Sequence, residues 1–245
     1  MVAVLLAAGP RSPQELLDRG VALAHEGRWE EAARFLDEAT RRKPESADAL
    51  HNLGVVLAQQ GRRDEAISAL RRALALEPGR ADSWQALGLA LLSSGRSAEA
   101  AEAYAESLRL APLDAMAHYN RGVALEALDR EGEAVSEYER SLELRPTLAE
   151  AQGALGALWL RRGRYGEAAE ACRQATRLRP DFAEAHYHRA LALAALGRYA
   201  EARSACREAV HLKPGASPFR ATLRDLERRL KQPAAQEAEQ RRTIV

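Results

Sequence analysis

Prolines stand at Pro44, Pro78, Pro112, Pro146, Pro180 and Pro214, each 34 residues after the one before. Glycines keep the same interval at Gly27, Gly61, Gly95, Gly163 and Gly197, with Asp129 in the remaining slot. Proline has no N–H to donate and restricts the residue before it, so helices end there. Glycine supplies the left-handed conformation that a tight turn needs. Two such markers in strict period mean one supersecondary unit copied in tandem. A unit this small cannot bury its own apolar face, so the copies must stack on one another. The chain is therefore a solenoid that displays a long surface rather than a single globular core.

With repeat position 1 at Pro13, Ala47, Ala81, Ala115, Ala149 and Ala183, the copies align without insertions. Position 8 reads Gly20, Gly54, Gly88, Gly122, Gly156 and Ala190, and position 20 is alanine in all six copies, from Ala32 to Ala202. Glycine inside a helix costs about 1 kcal/mol relative to alanine, so its recurrence marks a place where two backbones approach closely. Larger residues fill position 24, as Leu36, Leu70, Tyr104, Tyr138, Cys172 and Cys206. The pattern predicts two antiparallel helices per unit, small residues packed into large ones, over roughly positions 1–14 and 17–31.

Small residues at positions 8, 20 and 27, leucine or an aromatic at 4, 11 and 24, and proline at 32 resemble the tetratricopeptide repeat. The third copy carries the resemblance best, with Trp84, Leu87, Gly88, Ala100, Tyr104 and Pro112. It implies an all-α, right-handed superhelical solenoid of antiparallel helix pairs. The repeats are placed at 13–46, 47–80, 81–114, 115–148, 149–182 and 183–216, after an apolar segment at 1–12. A capping helix at 217–231, with Phe219, Leu223, Leu226 and Leu230 on one stripe, and a mobile tail at 232–245 complete the chain. Departures are Arg19, Arg121 and Arg189 in place of leucine at position 7, and Asp129 in place of glycine. Asp tolerates the left-handed region better than most residues, so the fourth turn should still form.

Helix-start signals agree. Ser12-Pro13-Gln14-Glu15 reads as an N-cap, a proline at N1 and a capping-box acid. Thr147 with Glu150, and Asp181 with Glu184, repeat that logic. Each second helix opens on an arginine (Arg28, Arg62, Arg96, Arg130, Arg164, Arg198) with a glutamate three residues on, a solvated i,i+3 pair.

The chain is 29% charged with a net charge of +1, which gives no long-range pull toward nucleic acid, and no apolar run is long enough to cross a bilayer. Residues 1–9 are apolar but short and lack the basic start of a secretory signal, so packing on the first repeat is expected. Cys172 and Cys206 share position 24 of neighbouring copies, too far apart for a disulfide, and are read as reduced core residues. Phosphate-binding, dinucleotide and zinc motifs are missing, and His186 and His188 point to different faces of a helix. No cofactor or metal is expected, and no catalysis. Thr243-Ile244-Val245 resembles a ligand of β-augmentation grooves, against the plainer reading of a frayed end.

Function then rests on the exposed face of the first helices. If positions 4, 8 and 11 face the partner helix, positions 2, 5, 6, 9 and 13 point away from it. In tetratricopeptide proteins that face lines a concave groove for an extended peptide or a helix. The groove candidates are His51, Asn52, Asp82, Gln85, Met116, Tyr119, Asn120, Glu150, Glu184, Tyr187 and His188. Acids outnumber bases among the groove-facing positions, which favours basic over acidic partner segments, although position 2 acids also suit the helix dipole. The family's clamp for a C-terminal carboxylate would surround Asn52 or Asn120 with Lys and Arg, and those are missing. The expectation is a monomeric, cytoplasmic, non-catalytic scaffold or adaptor for a protein or peptide, possible in complex assembly or chaperoning. An exported form stays open. The alternative is a regulatory or structural subunit of an enzyme complex that uses the convex face or the array ends.

Overall fold

The computed structural model describes residues 12–243. The apolar segment expected to pack on the first repeat lies, up to residue 11, outside them, as do Ile244 and Val245 of the C-terminal motif. The described residues form two compact units that divide between Arg130 and Glu131. The first holds α1 (Pro13–His25), α2 (Trp29–Arg42), α3 (Ala47–Gln59), α4 (Arg63–Leu76), α5 (Ala81–Ser93), α6 (Ser97–Leu110) and α7 (Ala115–Glu126). The second holds α8 (Glu131–Leu144), α9 (Ala149–Arg161), α10 (Tyr165–Leu178), α11 (Ala183–Ala195), α12 (Tyr199–Leu212) and α13 (Ser217–Thr243).

Within each unit consecutive helices pack as antiparallel pairs, and each pair packs on the next. The interface inside a pair is the small-into-large contact read from the sequence. A Cβ placed on Gly54 would lie 2.5 Å from Leu70 Cγ, and one on Gly88 would lie 2.9 Å from the Tyr104 ring. At these glycines even a Cβ would strike the large position 24 side chain. The position 20 alanines Ala32, Ala66, Ala100, Ala134, Ala168 and Ala202 are all fully buried. Ser107, buried at position 27, donates its hydroxyl to the Ala81 carbonyl at 3.0 Å, which satisfies a polar group that alanine would not bring.

The turns follow the sequence as well. Gly61 adopts φ 75°, and Arg62 donates back to the Leu57 carbonyl at 2.9 Å. Asp129 adopts φ 58°, and Arg130 makes the equivalent bond to Leu125 at 3.0 Å, so the one non-glycine turn closes in the same way. Ser12 caps α1 with both bonds of a capping box, at 2.8 and 3.2 Å.

Two helix starts differ from expectation. The N-caps of α9 and α11 are Leu148 and Phe182, neither with a side-chain cap. Thr147 and Asp181 precede the cap by one residue, a shift that takes their oxygens off the helix-capping position. Glu150 and Glu184 are engaged elsewhere, as described below. The final helix also runs past its expected end at 231, through Pro233 to Thr243.

Both cysteines are free and buried. Burial pushes the Cys172 thiol up to about 12 and the Cys206 thiol up to about 11, so neither is a ready nucleophile. Cys206 donates to the Phe219 carbonyl at 3.3 Å, tying α12 to α13.

Candidate partner-binding surface

In the first unit the first helices touch one another, α1 to α3, α3 to α5 and α5 to α7. No comparable contact joins α2 to α4 or α4 to α6. The row of first helices is therefore the tighter, inner side of this unit, and its outward-pointing residues line that side.

His51, Asn52, Asp82, Gln85, Met116, Tyr119 and Asn120 lie on α3, α5 and α7 of this row, most of them half-buried. Several are already engaged. The Asn52 amide donates to the Asp48 carbonyl at 2.8 Å, and Gln85 donates to Asp114 Oδ2 at 2.8 Å. Asp114 also caps α7 by accepting from the Met116 and Ala117 amides at 2.8 and 3.0 Å. Arg80, from the loop before α5, reaches Asp48 at 2.6 Å and Asp82 at 3.3 Å. Glu77 lies 3.5 Å from the same guanidinium, which therefore serves three carboxylates, and Asp48 and Asp82 stay largely exposed, at 64% and 58%.

His51 Nδ1 lies 2.9 Å from Ser83 Oγ, and Nε2 lies 3.8 Å from Asp82. Burial lowers the pKa of His51, against the pull of Asp82. These are the residue types of a hydrolytic triad, but Ser83 is fully buried and sits on Nδ1 rather than Nε2. The arrangement locks α3 to α5; it cannot present a nucleophile to a substrate.

In the second unit the predicted residues are largely used internally. Glu150 pairs with Arg179 at 2.5 Å, and Glu184 pairs with Lys213. The excess of acid expected on the groove face is thus cancelled here, by bases from the loops that close the second helices. The Tyr187 ring stacks on Phe219 of α13, and its hydroxyl lies 3.3 Å from Thr222 Oγ1. Tyr187 belongs to the joint between the last repeat and α13, as His51, at the same repeat position, belongs to the joint between α3 and α5. His188 sits beside it, ring centroids 6.1 Å apart.

Sequence reasoning missed Arg80, Asp114, Arg179, Phe182 and Lys213, all from the inter-repeat loops. The Phe182 ring leans over Gly153, where a Cβ would lie 2.6 Å from Cε1, and the Arg179 guanidinium covers its face at 3.7 Å. A glycine at position 5 paired with an aromatic at position 34 was the available signal. A second signal was the proline itself. Trp84 Nε1 donates to the Pro78 carbonyl at 2.9 Å, and His118 and His186 lie 3.2 and 2.9 Å from the Pro112 and Pro180 carbonyls. A carbonyl only accepts, so both histidines carry the proton on Nε2. The position 4 ring is thus hung from the preceding turn.

On the opposite side of the first unit, the separated second helices leave a cleft of about 600 Å³ between α4 and α6. Leu74, Trp84, Leu87 and Leu91 line it, under a rim that holds the Arg71–Glu99 pair.

Two tetratricopeptide-repeat family models match the chain, one over residues 23–90 and the other over 85–149, 133–181 and 154–217. The chain belongs to the tetratricopeptide-repeat family. A search of curated proteins finds no match. Among solved structures, Pseudomonas aeruginosa PilF is similar with a TM-score of 0.75 at 20% identity, over 89% of this chain and 97% of that one. Cut9, in the APC/C hetero-tetramer Cut9–Hcn1, gives 0.71 at 21%, over 89% of this chain but only 43% of the other. YrrB, described as a tetratricopeptide-repeat protein with an unusual peptide-binding site, gives 0.63 at 21%, over 75% and 95%. At these identities the likeness establishes the fold alone. Tetratricopeptide repeats generally mediate protein–protein interactions and act as scaffolds rather than catalysts. Among the described residues no helix is long and apolar enough to cross a membrane.

Proposed function

We infer that this tetratricopeptide-repeat protein is a non-catalytic, monomeric scaffold that holds a segment of a partner protein along the first helices of its first unit. The observation that carries this reading is Leu89, a large apolar residue on α5 that is 51% exposed. By repeat register it shares its row with Val55 of α3 and Val123 of α7, and Asn52 and Asn120 flank that row. An apolar ladder at helix-to-helix spacing, bordered by amides, suits a partner's apolar side chains and backbone. Tyr119 adds stiff contact area with a polar tip. A preference for basic over acidic segments belongs to the same proposal, resting on Asp48 and Asp82 with only Arg80 between them. It acts through on-rate and specificity. YrrB's description as peptide-binding is consistent with such a role.

The test is affinity purification followed by binding measurements on variants. Leu89→Ala, Tyr119→Ala and Asn120→Ala should each weaken partner binding by about 1–2 kcal/mol. Asp82→Lys should weaken it mainly at low salt. Normal binding by all of the first three, with the helical signal intact, would move the function to the convex face or the array ends, as in a subunit of a larger complex.

A further inference from the structure

The last helix carries a second surface of different chemistry. Counted in repeat register, Arg220 and Arg224 occupy positions 4 and 8 of a seventh copy, the positions that in the pairs before it face the second helix. Position 8 is glycine or alanine in all six repeats, where it admits that helix at close range. α13 packs on α12 of the preceding copy, and arginine at position 8 would hold off a second helix of its own copy. Arg220, Arg224, Arg228 and Lys231 follow one another at i, i+4, i+8 and i+11, within an arc of about 80° at 100° per residue. All four are exposed.

This stripe is unlike the arginines that open the second helices. Those are mostly tied to a glutamate three residues on, as in Arg164–Glu167 at 2.6 Å and Arg198–Glu201 at 2.7 Å. Arg220, Arg224 and Lys231 make no ion pair among the described residues, and Arg228 has only a 3.5 Å contact with Asp225 at 69% exposure. The acids that could neutralise the stripe are committed. Glu227 is held by Arg207 of α12 at 2.9 Å, and Asp225 by Arg229 at 2.7 Å. Phe219 and Leu226 face the other way, into the core, so the cations are not needed to bury them.

The geometry points to a docking surface on α13 for an acidic helical segment of a partner protein, laid along the side that a second helix would otherwise cover. The charge on this face is complementary to a ladder of carboxylates at i, i+4, i+8 and i+11, and long guanidinium arms suit contact at a distance. A polyphosphate or an anionic lipid plane fits less well. A net charge of +1 over the chain gives no pull toward polyanions. The surface belongs to the second unit and the first-helix face to the first, so one chain would carry two interaction sites of opposite preference.

The experiment uses the full chain and a labelled helical peptide with glutamates at i, i+4, i+8 and i+11, followed by fluorescence anisotropy at about 0.15 M salt. Saturable binding is expected, lost by about tenfold or more in Arg220→Glu/Arg224→Glu and by a few-fold in Arg224→Gln. A peptide with lysines in those places should gain affinity for the charge-reversed protein. Because these side chains are exposed, the variants should keep the wild-type circular dichroism; if the double variant does not, Arg224→Gln decides. Equal affinity for a peptide of the same composition with scattered glutamates would overturn the proposal. So would unchanged binding by Arg224→Gln and the double variant, or tighter binding of duplex DNA or phosphatidylserine vesicles, or self-association abolished by the same substitutions.

Discussion

The Tyr187 ring stacks on Phe219 with centroids 4.4 Å apart and planes 29° from parallel. This contact fastens α13 to the last repeat, together with Ala183 and Ala209 beneath it. Phe219 is 7% exposed, so Phe219→Ala should cost about 3–5 kcal/mol, the range for deleting a buried ring. Chemical denaturation should show the loss, whereas Tyr187→Phe keeps the stack, forfeits one half-exposed hydroxyl contact and should lose about 1 kcal/mol or less.

The close approach inside each helix pair gives a sharper test. Gly88→Leu or Ala100→Leu should destabilise by at least roughly 1–3 kcal/mol, because the Tyr104 ring already fills the space beside Gly88 and Ala100 is fully buried. Glu102→Leu, exposed on the same second helix as Ala100, should change stability far less. Equal effects at both kinds of site would mean that the repeat register is misassigned.

Tyr104 carries the opposite signature. Its ring is fully buried against Gly88, and its hydroxyl has no hydrogen-bond partner among the described residues. Burial also pushes its ionisation well above the ordinary tyrosine range. Tyr104→Phe removes an unsatisfied polar atom and keeps the ring, so stability should rise by about 1 kcal/mol.

The joint between α3 and α5 should respond to pH. His51 is hemmed in by Ser83, Asp82, Asp48 and Arg80, and burial lowers its pKa below the usual imidazole value. The unfolded chain then takes up a proton before the folded one. Stability is full above the ordinary histidine pKa, about 6.5, and falls as pH drops from there toward the lower folded value. Below that value the loss is constant. His51→Gln should flatten this part of the pH profile in thermal melts; an unchanged profile would refute the assignment.

The period of 34 residues by itself determined the helix pairs, their small-into-large packing, the turns and even the left-handed Asp129. These are local matters, fixed by backbone sterics and by which side chains fit between neighbouring turns of one pair. It also placed His51, Asn52, Asp82, Gln85, Met116, Tyr119 and Asn120 on one row of helices. Only the tertiary structure decided which candidates remain available. Arg80, Arg179 and Lys213 lie 32, 29 and 29 residues from Asp48, Glu150 and Glu184, so no helical wheel brings them together. Stacking one pair on the next does. The same stacking spends Tyr187 on Phe219, because the last repeat packs against α13. On α13 the pattern at position 8 switches from small residues to arginine. That switch was written in the chain, but only the paired charges around it reveal which cations are left over.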